Sequence, residues 1–233
     1  MPAGAGLAAV DDIAGRRHLP VLSQGFWFHA LRPTLHALRS GAVIEPELLL
    51  TAYCKGIFPM AVNKRGDIGW FSPDPRAIIP LDERFHVPHG LRRVLKKNPF
   101  ETTTDRDFET VIHECGKRHG DTWISEAIIE SYCNLHRLGF AHSIEARLVG
   151  KLVGGLYGVH IGGAFFGESM FHRVTDASKV ALAALVERLR AHGFALLDTQ
   201  WQTPHLAQFG TTEIPRREYL RLLKRAVALE CEF

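Results

Sequence analysis

The run His142-Ser143-Ile144-Glu145-Ala146-Arg147-Leu148, then Gly150, Leu152 to Val159, Gly162-Gly163 and Ala164 to Phe171, decides the fold. Its apolar spacing has a period of two, as in strands whose successive side chains face opposite ways, and its glycines stand where tight reversals are needed. Three consecutive antiparallel strands are predicted. On either side the spacing becomes helical. Asp107 to about Lys117 and Ser125 to about Arg137 precede the strands, with Ser125 as N-cap and Gly139 as stop; a helix capped by Asp176 or Thr175 and ended by Gly193 follows them. Ala195 to Trp201 then returns as a strand, and Arg216 to Leu229 closes as a helix. This order of elements is that of an α+β domain.

Upstream, Glu45 to Gly56 reads as one short helix, with Pro46 in its first turn, Glu47 near its N-terminus, Lys55 near its C-terminus and Gly56 beyond it. The aromatic segment from Phe26 to Arg39 is interrupted by Pro33. A turn-rich, proline-punctuated piece from Phe58 to Pro80 suggests a boundary near Pro75 to Asp82. The expected partition is a flexible tail over residues 1–20, a small N-terminal domain over 21–78 and a larger domain over 79–233. With 233 residues, 46% hydrophobic and 23% charged, the chain has enough apolar material for a sizeable core. The net charge of +3 permits a nucleic-acid partner without requiring one. Cys54, Cys115, Cys133 and Cys231 lie far apart, which fits a reduced, cytoplasmic setting better than a zinc site or a disulfide framework. The first fifteen residues lack a basic start and carry Asp11-Asp12, a poor signal peptide. No segment has the length of a membrane span, and the thirteen histidines show no metal-binding spacing, so no metal or cofactor is expected.

Three polar residues stand where core residues are expected. Glu168 lies among aromatic neighbours in a strand, and Asp198 and Gln200 close another apolar strand. Buried carboxylates must be paired, protonated or functional. Strand parity places Asp198 and Gln200 on one face. Glu168 shares its face with Phe166 and Met170, and a pocket that mixes Phe165, Glu168 and Met170 needs a bulge at Gly167. Arg92, Arg93, Lys96 and Lys97 form the basic face of a helix whose apolar face is Leu91, Val94 and Leu95; such a face is either solvated surface or a strip that contacts phosphates. Arg217, Arg221 and Arg225 form a second basic strip, read as solvated surface.

A helix that leaves a meander and returns with another strand resembles the acetyltransferase-like fold of the GCN5-related superfamily. More specific are Gly56-Ile57-Phe58-Pro59, Trp70-Phe71-Ser72-Pro73-Asp74-Pro75-Arg76, Thr122-Trp123-Ile124, His142 to Glu145, Leu152 to Gly158, Phe165 to Phe171, Ala177-Ser178-Lys179, Leu197-Asp198-Thr199-Gln200 and Glu213-Ile214-Pro215-Arg216. In this order, from about Glu47 to Leu223, they resemble the leucyl/phenylalanyl-tRNA–protein transferase family. The resemblance implies an aminoacyltransferase that moves Leu or Phe, with Met a further donor, from aminoacyl-tRNA to the N-terminal Arg or Lys of a protein. The product would enter the N-end rule degradation pathway. It implies Asp198, Gln200 and Glu168 as catalytic residues, a side-chain pocket of Leu156, Phe165, Met170 and Trp123, and tRNA contacts at Arg92, Arg93, Lys96 and Lys97. The family's usual Trp after Gly-Ile-Phe-Pro is Met60 here, which leaves Met60 and Trp70 beside the tRNA's 3′-adenosine. A cytoplasmic monomer is expected.

The chemistry fits these residue types. An ester donor and an amide product make the transfer downhill, and an α-amine with a pKa of about 7.7–8.0 needs only alignment and loss of a proton. Asp198 is the expected proton acceptor, directly or through Gln200, with Glu168 orienting the basic acceptor. Two other classes share some of these features: an acetyltransferase-fold enzyme with another acyl donor, or a non-catalytic tRNA-binding protein. The first needs a glycine-rich pyrophosphate loop, and the corresponding junction, Phe171 to Asp176, has no glycine.

Overall fold

The computed structural model describes residues 10–11, 17–18, 41–117 and 122–233. The chain forms two compact units, residues 1–37 and 38–233. In the first, Val10–Asp11 (β1) pairs antiparallel with Arg17–His18 (β2); otherwise the tail expected over residues 1–20 and the segment from Phe26 to Arg39 lie outside the described residues.

In the second unit α1 (Pro46–Cys54) ends as the sequence predicts, at Gly56 with φ +71°. A hairpin comes next, β3 (Phe58–Ala61) with β4 (Ile68–Phe71). The remaining elements are β5 (Arg76–Ile79), α2 (His89–Lys97), β6 (Glu101–Thr104), α3 (Phe108–Gly116), α4 (Glu126–Arg137), β7 (Ala141–Leu148), β8 (Lys151–Ile161) and β9 (Ala164–His172). After them come α5 (Ala177–Ala191), β10 (Leu196–Gln200), α6 (Pro204–Ala207), β11 (Thr212–Ile214) and α7 (Arg216–Ala226). Ser125 caps α4 by accepting from Ile128 N. Asp176 enters α5 in the left-handed region without a side-chain cap bond and pairs with Lys179 at 2.9 Å instead.

The seven-stranded sheet has the order β11-β5-β10-β9-β8-β7-β6. Strands β7, β8 and β9 are the expected meander, and β10 returns parallel to β9 after α5. The fold is therefore α+β, with the order of meander, helix and returning strand read from the sequence. Three strands of this sheet, β5, β6 and β11, were not legible. Strand β6, Glu-Thr-Thr-Thr, is a polar edge without apolar alternation. Strand β5 is short and follows a proline, yet it lies inside the sheet between β10 and β11, so the segment read as a boundary contributes Arg76–Ile79 to the sheet.

Both faces of the sheet are covered, as a parallel pair requires. Tyr157, Val159 and Phe166 pack on one face against α1, α3, α4 and α7 through Tyr53, Val111, Tyr132 and Leu223. Leu156, Phe165 and Leu197 pack on the other against α2 and α5 through Leu91, Leu182 and Leu185.

Two register slips interrupt the ladders of β9 and β10. Gly158 pairs with Gly167 but Tyr157 pairs with Ser169, leaving Glu168 as the extra residue of a bulge. A bulge is thus present beside Gly167, at Glu168, but it does not gather Phe165, Glu168 and Met170 on one face: it turns Met170 to the α5 face with Phe165 while Glu168 reaches the α1 and α4 side. In β10, Asp198 pairs with Ile78 and Gln200 with Ala77, so Thr199 is extra, and Gln200 has φ +59°. The β9–β10 ladder ends at the pair Asp198–Phe166, and the two strands part beyond it. A Cβ at Gly158 would collide with the Phe166 carbonyl oxygen and the Phe165 ring beside the first bulge. Gly158→Ala is therefore expected to cost about 1–3 kcal/mol in denaturant unfolding, the range of core overpacking, and an unchanged midpoint would contradict this packing.

Candidate active site

Where β9 and β10 part, a cavity of about 750 Å³ opens. Glu168 and Gln200 stand at its head, Leu156, Met170 and Trp123 are among its apolar walls, and Met60 and Trp201 also line it. Trp201 is 41% exposed, edge-on to Phe58 with ring centroids 5.2 Å apart.

Asp198 is fully buried and does not reach the cavity. Arg76, 1% exposed, holds it bidentately: Nε donates to Oδ1 at 2.9 Å and an Nη to Oδ2 at 2.6 Å. Tyr219 donates its hydroxyl to Oδ2 at 2.7 Å, and the Gln200 backbone N–H donates to Oδ1 at 2.9 Å. The guanidinium also lies 4.6 Å from the Tyr219 ring centroid and 4.8 Å from that of Phe58, and donates to the Gly56 carbonyl. Every oxygen of Asp198 is occupied by strong donors, so it does not face the cavity beside Gln200 as parity suggested. The Thr199 bulge separates the two side chains, and they meet through Gln200's backbone.

Gln200 instead directs its side chain to Glu168, its Nε2 donating to Oε1 at 3.2 Å. Tyr53 donates its hydroxyl to the same oxygen at 2.7 Å, and the Tyr132 hydroxyl lies 3.5 Å from Oε2. Burial pushes the Glu168 carboxyl up to about 8, against the lowering effect of the Tyr53 hydrogen bond, with Asp198 raising it further and Arg76 and Tyr132 opposing. Burial also raises the three phenols, Tyr53, Tyr132 and Tyr219, well above the usual tyrosine value, so they remain donors. The site thus holds one carboxylate locked by a cation and one, lining the cavity, whose carboxyl burial pushes up to about 8.

Of the other expected site residues, Phe165 is fully buried behind the cavity, stacked on Phe233 at 5.1 Å, and does not line it. Trp70 lies opposite Pro59 in the β3–β4 hairpin and is outside the cavity wall, whereas Met60, opposite Gly69, is part of it. Arg92, Arg93, Lys96 and Lys97 are all exposed on α2, away from the cavity lining. Sequence reasoning missed Arg76, Tyr53, Tyr132, Tyr219 and Trp201 as members of the site. Only Arg76 and Trp201 carried a signal, a lone arginine after Pro75 and a tryptophan directly after Gln200.

A family model described as leucyl/phenylalanyl-tRNA protein transferase matches residues 78–224, and one for its N-terminal domain matches residues 43–74. A leucyl/phenylalanyl-tRNA–protein transferase from Akkermansia muciniphila is 58% identical over 186 residues, covering 79% of this chain and 96% of its own length. One from Gloeobacter violaceus is 56% identical over 190 residues, covering 82% and 97%. Among solved structures, a ribosomal-protein-alanine N-acetyltransferase from Brucella melitensis biovar Abortus 2308 is similar at 14% identity and a TM-score of 0.34, over 52% of this chain and 89% of that one.

Removing one partner of the buried ion pair leaves the other uncompensated. Arg76→Met is expected to cost about 3–5 kcal/mol of stability. Arg76→Met combined with Asp198→Leu should recover a large part of that loss in the same denaturant titration, and strictly additive losses would show that the pair is not coupled.

Proposed function

The chain belongs to the leucyl/phenylalanyl-tRNA protein transferase family, and we propose from its site that it moves Leu, Phe or Met from aminoacyl-tRNA to an N-terminal Arg or Lys of an acceptor protein. The observation that carries this reading is a titrating carboxyl and an amide, Glu168 and Gln200, at the head of an apolar cavity.

The acceptor enters as an α-ammonium. With a pKa of about 7.7–8.0 it is matched to a carboxylate that titrates near the same pH, so transfer of a proton from amine to Glu168 is close to balanced. The Gln200 side chain, held by Glu168 and by the Asp198-bound backbone N–H, leaves its amide oxygen to accept from the amine and orient the nitrogen lone pair. The nitrogen attacks the ester carbonyl, the C–N bond forms, the C–O bond to the tRNA ribose breaks, and the ribose oxygen takes up a proton through Glu168-H. One proton is released in the net reaction. The role of proton acceptor thus moves from Asp198, whose oxygens are filled, to Glu168, and Asp198 acts through Gln200.

Leu156, Met170 and Trp123 hold the aminoacyl side chain, each buried methylene contributing about 0.8 kcal/mol, which admits Leu, Phe and Met and discriminates weakly among them. Phe165 supports this pocket from behind. Met60 lies beside the terminal adenosine, with exposed Trp201 presenting the ring face that Trp70, outside the wall, does not. The site draws on both sides of the expected division at residue 78, Tyr53 and Arg76 from the first part and Glu168, Gln200 and Trp201 from the second, and the protein works as a cytoplasmic monomer that marks its acceptors for the N-end rule pathway. Coenzyme A fits poorly, because Asp176 stands at the N-terminus of α5, where a pyrophosphate would have to bind. Among the described residues, no helix is long and apolar enough to cross a membrane.

Two experiments test this reading. With charged Leu-, Phe- or Met-tRNA and a peptide beginning with Arg or Lys, the protein extends the peptide; Glu168→Gln and Gln200→Ala each lower the single-turnover rate by about 10²–10⁴ while charged-tRNA affinity holds. Rates equal to the parent would exclude both roles. Separately, replacing Arg92, Arg93, Lys96 and Lys97 by Gln lowers the salt slope of tRNA binding by about 0.7–0.9 in log K for each phosphate no longer neutralised, and an unaltered slope would remove α2 from the tRNA interface.

A further inference from the structure

Two tyrosines outside the proton transfer proposed for Glu168 converge on that carboxylate. Tyr53 belongs to α1 and Tyr132 to α4, and both side chains are fully buried. Their rings pack as core aromatics do, Tyr53 4.8 Å from Phe166 and Tyr132 5.7 Å from Tyr157 between centroids. Packing alone would be served as well by phenylalanine, which would spare the cost of burying two hydroxyls. The hydroxyls find their partners in each other and in Glu168.

Each phenol carries one proton. Tyr53 gives its proton to Glu168 Oε1 at 2.7 Å. Tyr132 lies 3.5 Å from Oε2 and is hydrogen-bonded to the Tyr53 hydroxyl; with the Tyr53 proton directed to Glu168, that bond takes the Tyr132 proton. We propose that Tyr53 and Tyr132 are positioning residues of the transfer reaction, a one-way chain of hydroxyl protons from Tyr132 to Tyr53 to Glu168 that favours the ionised carboxylate and aims it at the acceptor amine. Donors in series polarise one another, so the outer tyrosine strengthens the inner bond. The inference rests on the reading of Glu168 as proton acceptor.

The groups facing Glu168 are Tyr53 from α1, Tyr132 from α4, Arg76 from β5, and Asp198 and Gln200 from β10, with Tyr219 of α7 bound to Asp198 behind them. Arg76 and Asp198 are bound to each other and oppose one another at Glu168, which leaves the two hydroxyls and the Gln200 amide as the favourable contacts, the hydroxyls being the ones the mechanism does not otherwise use. A hydrogen bond to a carboxylate favours its charged form. Losing one therefore makes Glu168 harder to ionise, and the reaction needs a higher pH.

The test is the pH dependence of single-turnover transfer to an Arg-initiated peptide by parent, Tyr53→Phe and Tyr132→Phe proteins, with thermal unfolding alongside. The acceptor amine titrates identically in all three, so differences between profiles belong to the protein. Tyr53→Phe should move the ascending limb to higher pH by about one unit, with a rate near pH 7 about tenfold below the parent and the curves converging when alkaline. Tyr132→Phe should move it less, in the same direction, and serves alone if Tyr53→Phe does not fold. Limbs that coincide with the parent's, with rates lowered equally at every pH, would show a purely structural role and overturn the proposal. In the same series, a Glu168→Gln protein as fast as the parent would instead overturn the reading of Glu168 itself.

Discussion

The buried pair of Arg76 and Asp198 is the contact on which the site depends. It joins residues 122 positions apart, and with them strands β5 and β10 at the point where β10 bulges and leaves β9. An ion pair this deep is costly to desolvate and persists only when the geometry is good and other bonds satisfy the remaining lone pairs. Here Tyr219, the Gln200 backbone and the Gly56 carbonyl complete it, which draws α7, the end of α1 and the catalytic strand onto one centre. Gln200 can adopt a left-handed conformation, uncommon for a side chain of its size, because its N–H has a fixed partner there.

The two carboxyls consequently divide the labour. Both come from strands that flank the opening, yet one is enclosed by a guanidinium and a phenol and the other is met by two phenols, an amide and the cavity. Environment separates them, one carboxylate paired with a guanidinium and the other pushed up by burial. The bulge at Glu168 is what permits this. By adding one residue it sends Glu168 toward α1 and α4 while keeping Met170 on the wall of the apolar pocket, so chemistry and side-chain selection come from one strand.

Much of the fold was legible because it was written in local periodicity. The meander, the α4 cap at Ser125, the stop at Gly56 and the return of β10 all depend on neighbours in sequence. The need for a bulge near Gly167 was also legible, although the sequence did not show that Glu168 would be the extra residue or that it would leave the face of Met170. What could not be read depends on distant contacts. Strand β5 is four residues of Arg-Ala-Ile-Ile, too short to declare itself before β10 and β11 pair with it. Parity placed Asp198 with Gln200 because nothing local announces the Thr199 bulge. Tyr53 and Tyr132 look like ordinary core aromatics, since their common partner lies 115 residues from one and 36 from the other.

The central claim is that the carboxyl which exchanges a proton in the working pH range is Glu168. Carbon-13 labelling of glutamate side-chain carboxyls, with the Glu168 resonance assigned by its loss in Glu168→Gln, tracks that group directly through a pH titration. The account predicts a midpoint near 8, well above the 4.5 of an ordinary glutamate. A midpoint in that ordinary range would contradict it.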